Sequence, residues 1–137
     1  MRSVSSGEAC EVTVTLEHHV TLEATPLAAG EGRRFVAEML CGLYAFCAER
    51  AELCVSEMVT NAVIHGSGSV ILSIEQNREQ LLISVIDRGV GIPVMGRLGP
   101  EAESGRGLAI VEWMSDSWGV EELGPGKRVW CSFRSLT

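Results

Sequence analysis

Along the chain, apolar and polar positions recur in blocks of different period, and each period predicts a local structure. From Glu11 to Leu22, Val12, Val14 and Leu16 alternate with polar or threonine side chains, the two-residue period of a strand or hairpin. Phe35, Val36, Met39, Leu40, Leu43 and Phe46 then recur at three- and four-residue spacing. That is one helical face, and it predicts an amphipathic helix from about Leu27 to Cys47. A second helix is expected from about Ala51 to His65, with Val55, Val59, Ala62 and Val63 on one side and Gly66 as its stop. Ser69 to Glu75 and Gln80 to Asp87 read as the two strands of a hairpin, joined by the polar turn Gln76-Asn77-Arg78-Glu79.

The pattern then lapses. From Arg88 to Ser104 glycines and prolines interrupt the chain without apolar periodicity, as in a long irregular loop, and such loops in compact domains are usually functional lids or disordered links. A third helix is expected from Gly107 to about Ser117. Two last strands follow, around Trp118 to Glu122 and Lys127 to Ser135, joined through Gly124-Pro125-Gly126. The elements sum to an α/β fold, a two-layer sandwich with helices on one face of a mixed, mostly antiparallel sheet. A chain of 137 residues without internal repeats fits a single domain, 1–137, with 1–10 expected as a flexible tail.

Composition narrows the function classes. With 46% apolar and 21% charged residues the chain can bury enough surface to offset the entropy of ordering, which excludes a disordered or fibrous protein. The longest apolar run, Met39 to Ala48, is too short for a bilayer that needs about 20 residues, and Met1-Arg2-Ser3-Val4-Ser5-Ser6 lacks the apolar stretch of a signal peptide. A cytoplasmic protein without a membrane partner is expected. The net charge of −7 gives no basic footprint for nucleic acid. A nucleotide stays compatible with it, because local backbone amides and a bridging cation can hold a small phosphate ligand. The five cysteines are odd in number, contain no C-x-x-C pair and read as reduced, mostly buried thiols; His18-His19 lacks a third ligand at zinc spacing. Trp113, Trp118 and Trp130 read as core or interface packing, and Arg33-Arg34 as a solvated pair.

Three short patterns carry candidate chemistry. Glu57, Asn61 and His65 stand four apart and form one polar stripe on a helix, roughly opposite Val55, Val59 and Val63; the alternative is a merely solvated outer face. In Asp87-Arg88-Gly89-Val90-Gly91 an acid ends a strand and two glycines let the backbone turn against something close, although Asp-x-Gly is also ordinary turn chemistry. Gly105-Arg106-Gly107-Leu108 opens a helix whose free N–H groups suit phosphate, a weak signal by itself.

Order and spacing make the three patterns specific together: helical E-x-x-x-N-x-x-x-H, a strand ending D-x-G-x-G, a long loop, then G-x-G-L at a helix start. The set resembles the N box and the two glycine boxes of the Bergerat-fold, GHKL-type ATP-binding domains, the group of gyrase, a heat-shock chaperone, histidine kinases and mismatch-repair ATPases. Within that group, Glu57 to Gly66 and Gly105 to Val111 resemble the anti-sigma-factor serine/threonine kinases, and the similarity runs from about Arg33 to Phe133.

The resemblance implies a role for each residue. Asn61 would give an amide oxygen to Mg2+, and Glu57 one turn away would act as the base on a serine or threonine hydroxyl. Asp87 would accept a hydrogen bond from the adenine amino group, with Gly89 and Gly91 letting the base lie against the backbone. Gly105, Arg106 and Gly107 would close over the phosphates at the helix entered by Leu108, 92–104 would be a moving ATP lid, and His65 would be pocket-adjacent. The implied function is a Mg·ATP-dependent serine/threonine protein kinase acting as an anti-sigma factor. Its partners would be a small antagonist, which it phosphorylates, and a sigma factor, and a homodimer fits the type. The alternative is an ATP-binding interaction module that transfers no phosphate. One departure stands out: where the family often has Gly-x-Thr-Val, whose hydroxyl helps a water bridge aspartate and adenine, this chain reads Gly126-Lys127-Arg128-Val129. Arg128 is therefore expected either to reorganise that base-binding water or to point outward.

Overall fold

The computed structural model describes residues 14–89 and 108–136. Strand β1 (Leu16–Leu22) leads to helix α1 (Ala28–Met39), a 3-10 segment (Gly42–Cys47) and helix α2 (Ala48–His65). Strands β2 (Val70–Gln76) and β3 (Gln80–Asp87) follow. Residues 108–114 form helix α3, and β4 (Ser117–Glu122) and β5 (Lys127–Arg134) close the order. The strands make one five-stranded sheet in the order β1-β2-β3-β5-β4, and every pairing is antiparallel. The sheet is thus more uniform than the mixed one expected.

Alternation along each strand sends one set of side chains under the helices. Val70, Leu72 and Ile74 of β2 meet Leu81, Ile83 and Val85 of β3 and Val129, Cys131 and Phe133 of β5 in a core sealed from above by Val55, Met58 and Val59 of α2. Helix α1 approaches α2 closely because Gly32 lacks a side chain: a Cβ there would stand 3.1 Å from a Val55 methyl and 3.4 Å from one of Val59. The hairpin between β2 and β3 is set by Asn77, whose Oδ1 accepts the N–H groups of Glu79 and Gln80 at 2.8 and 3.0 Å. No helix among the described residues is long and apolar enough to cross a membrane.

The sequence pattern and the fold part company at the first helix. The expected helix Leu27–Cys47 breaks at Leu40 and Cys41, which are extended (ψ 132 and 164), before the 3-10 segment begins. Gln76, only 1% exposed, holds the break: its amide donates to the Met39 carbonyl at 2.7 Å and its Oε1 accepts the Cys41 N–H at 2.9 Å. Those bonds satisfy a helix end that would otherwise be buried with unpaired backbone groups. Past the break the buried face changes: Tyr44 and Cys47 of the 3-10 segment enter the core, whereas Phe46, expected on the apolar face, is 40% exposed. Helix α2 also starts earlier than expected, at Ala48, and α3 ends earlier, at Met114, while Glu11 to Thr13 and the expected tail 1–10 lie outside the described residues.

Replacing Gln76 with alanine removes both bonds at once and leaves a buried carbonyl and N–H to be resolvated. Gln76→Ala is expected to lower the unfolding free energy by on the order of 3 kcal/mol, read as a shift of the urea midpoint at unchanged slope.

Candidate functional site

Helix α2 carries the polar stripe to the end of the central strand. Asn61 is buried at 9% exposure, whereas Glu57 and His65 are half-buried. Met58 and Ala62, both buried, lie beside them on the helix, so the stripe borders the core and is no freely solvated outer face. The helix stops at Gly66 with extended backbone (φ −95, ψ −161), and the glycine is required by space. A Cβ at this position would lie 2.5 Å from the Ala62 carbonyl oxygen and 3.0 Å from both Cβ and Cγ of Asp87. The end of α2, one residue past His65, therefore rests on Asp87.

Asp87 is the last residue of β3 and is 3% exposed. It faces Val70 on one neighbouring strand and Lys127 on the other, and its Oδ2 is 3.4 Å from the Lys127 ammonium. Beyond it the backbone doubles back at close quarters. Gly89 (φ +52) and Gly126 (φ +112) adopt left-handed conformations that a side chain disfavours, and a Cβ on Gly89 would fall 2.5 Å from the Gly126 Cα and 3.2 Å from Oδ1 of Asp87. The carboxylate is thus flanked by two backbone segments, at Gly89 and Gly126, that approach too closely for a Cβ on either glycine.

The structure decides between the two expectations placed on Arg128: it points away from the aspartate. Val129, Cys131 and Phe133 of β5 point into the core, so by alternation Lys127 shares their face and Arg128 does not. The Arg128 guanidinium pairs with Glu121 of β4 at 3.0 Å on the opposite face of the sheet. Lys127, not Arg128, is the residue at the aspartate. The signal was present in the two-residue period of Lys127 to Phe133, which fixes the face of every residue once one is known to be buried.

Further sequence candidates fall into two groups. Leu108 packs its side chain against the core, so the backbone N–H is what it can offer a ligand. Gly91, Gly105, Arg106, Gly107 and the expected lid 92–104 lie outside the described residues. Helix α3 is anchored by Arg50 of α2, which donates to the Met114 carbonyl at 3.1 Å and lies over the Phe133 ring at 5.5 Å. Trp113 is 83% exposed and is not core; Trp118 packs against the core, whereas the half-buried Trp130 lies over Gly119 on the opposite face of the sheet. Cys41, Cys47, Cys54 and Cys131 are free thiols. A hydrogen bond with Cys54, reinforced by burial, holds Cys131 well above the ordinary thiol range, and burial raises Cys47 against the lowering pull of Arg50. These groups stay protonated and unreactive.

Residues 22–133 match the family described as the histidine kinase-like ATPase domain. The chain belongs to that family. The matched span of this histidine kinase-like ATPase domain takes in Glu57, Asn61, Asp87 and Lys127. It is also similar to the anti-sigma F factor of Clostridium beijerinckii, 36% identical over 89 residues that cover 55% of this chain and 62% of that protein, so the match spans less than two thirds of the relative. Among solved structures, the RsbU and RsbW domains of Rv1364c from Mycobacterium tuberculosis match with a TM-score of 0.68 and 24% identity, over 88% of this chain and 32% of that one. That likeness shows the fold, the α/β sandwich with its helices over an antiparallel sheet.

The tight seat of Gly66 on Asp87 can be measured against a roomy glycine. Gly66→Ala is expected to cost about 1–3 kcal/mol of stability, because the helix end or the aspartate must shift. Gly42→Ala, with nothing within 4 Å of its added Cβ, is expected to stay within about 0.5 kcal/mol of wild type by chemical denaturation.

Proposed function

We propose that this histidine kinase-like ATPase domain binds Mg·ATP beside Asp87, transfers a phosphate to a serine or threonine of a small antagonist protein, and acts as an anti-sigma factor. The observation that carries the reading is the buried Asp87 carboxylate, beside the tight turn at Gly89 and in contact with the end of the helix that bears Glu57 and Asn61. A carboxylate at 3% exposure is a directional acceptor suited to an amino group on a flat heterocycle. The name of the Clostridium relative supports the anti-sigma assignment.

Each side chain has a task in this reading. Asp87 orients the base. Asn61, buried one helical turn from Glu57, offers an amide oxygen of the hard kind that Mg2+ prefers. When bound, the ion neutralises phosphate charge during transfer. Glu57, half-buried, orients the attacking hydroxyl and receives its proton; His65 lies at the pocket's rim beside Gly66. Positioning and charge neutralisation supply most of the catalysis in such a transfer. The partners in this reading are the antagonist and a sigma factor, with a homodimer as the working form. A module that binds ATP without transferring phosphate would have drawn support from Arg128 intruding on the base; Arg128 instead pairs with Glu121 on the far face.

Titration calorimetry with Mg·ATP tests the binding step. Wild type is expected to bind in the micromolar range, about −8 kcal/mol, and Asn61→Ala to lose tenfold or more. Labelled ATP incubated with candidate antagonist proteins tests transfer: Glu57→Ala is expected to bind nucleotide yet leave the acceptor serine or threonine unlabelled. A folded wild type that binds no Mg·ATP overturns the whole reading. Tight binding with no transfer to any antagonist overturns the kinase and leaves the binding module.

A further inference from the structure

Lys127 has no task in the reading above, yet among the described residues it is the cation in an ion pair with the aspartate of the proposed base site. It opens β5 directly opposite Asp87, with its ammonium 3.4 Å from Oδ2; the lysine side chain is 26% exposed and the aspartate 3%. Glu122 stands across from Lys127 on β4 but is exposed, and the next cation, Arg128, is held by Glu121 on the other face. Lys127 therefore reaches the buried carboxylate with a side chain that stays partly exposed.

Hydrogen-bond capacity turns this pair into a reader. An ammonium has three donors and no acceptor, and an ionised carboxylate has acceptors on both oxygens. The contact to Oδ2 uses one donor, leaving donors on Lys127 and, on the carboxylate, Oδ1 on the side of Gly89. Side by side, the two groups present an acceptor and a donor to a ligand that docks against them. A carboxylate alone recognises any amino group, whereas the pair demands a ligand edge with a donor next to an acceptor. Adenine has that edge in its N6 amino group and N1, the edge by which proteins read an unpaired base.

We propose that Lys127 is a specificity-determining residue of the nucleotide site: its ammonium, held by Asp87, donates to adenine N1 while Asp87 accepts from N6. The proposal rests on the ATP reading of the site given above. It assigns Lys127 a second effect, since the ammonium offsets a carboxylate charge that would otherwise be buried without a partner. Guanine offers O6 and N1–H, which would engage the same pair in the opposite order, so GTP must be measured alongside ATP.

The experiment leaves the protein intact and changes one ligand atom. In wild type, 1-deaza-ATP, which has C–H in place of N1, is expected to bind at least tenfold more weakly than ATP. In Lys127→Met, checked for folding by its thermal transition, ATP is expected to fall to the level of 1-deaza-ATP, bringing the two affinities within twofold. If the variant does not fold, the wild-type comparison of ATP, 1-deaza-ATP and GTP decides. Equal wild-type affinities for ATP and 1-deaza-ATP, with ATP binding still lost in Asn61→Ala, overturn the role of Lys127 and leave the nucleotide site standing. Tighter ATP binding by Lys127→Met overturns it as well, by showing that the ion pair withholds the carboxylate from the base, and so does a wild-type preference for GTP. A folded wild type that binds none of the three overturns this proposal together with the site.

Discussion

The burial of Asp87 constrains the rest of the molecule. A carboxylate at 3% exposure is tolerated where it is paired and where the backbone around it gives way, and both conditions are met by neighbours from two separate segments. Gly66 brings the end of α2 onto its Cβ, Gly126 lets the β4–β5 turn pass against its backbone, and Lys127 supplies the opposite charge. Each segment is carried there by an element that spans the domain. The sandwich exists to hold these ends in register, and the two left-handed glycines, Gly89 and Gly126, are where the packing leaves no room for any other residue.

Long-range side chains keep that convergence in place. Gln76 fastens the end of α1 to the far end of β2, and the Tyr44 hydroxyl donates to the Asn77 carbonyl at 2.7 Å, so the connection into α2 is pinned to the β2–β3 hairpin. Arg50, in the first turn of α2, reaches the last turn of α3 and covers Phe133. Helix α2 is therefore fixed at its start by Tyr44 and Arg50 and at its end by Gly66 on Asp87. A helix fixed at both ends presents Glu57 and Asn61 at a constant height above the sheet, the condition for aligning reacting groups.

Local period and local chemistry carried much of this into the sequence. The β2–β3 hairpin, the stripe on α2, the β4–β5 pair and the acid at the end of β3 rest on neighbours within a few residues, and all were legible. The break at Leu40 and Cys41 was not, because the group that creates it, Gln76, is 35 residues away from Cys41. Gly66 read as a helix stop because the sequence shows where a glycine ends a helix and not what it must avoid touching. At Arg128 the information was present but misapplied: motif spacing pointed to one residue, whereas strand alternation put its neighbour on the buried face.

Charge gives the last constraint. A chain with a net charge of −7 repels a triphosphate at long range, so affinity for one must come from groups within a few ångströms, where Coulomb energy is least screened. The base end of the proposed site begins with another negative charge, Asp87. Lys127 changes that balance locally: it makes of the Asp87 anion a neutral pair that still offers both a donor and an acceptor. Arg128, one residue along, adds nothing to that pair because Glu121 holds it on the opposite face. In the proposed site the phosphate end would then depend on Asn61 and the metal ion it would hold. In an acidic protein the division is a physical necessity, since neither end gains from the protein's overall field.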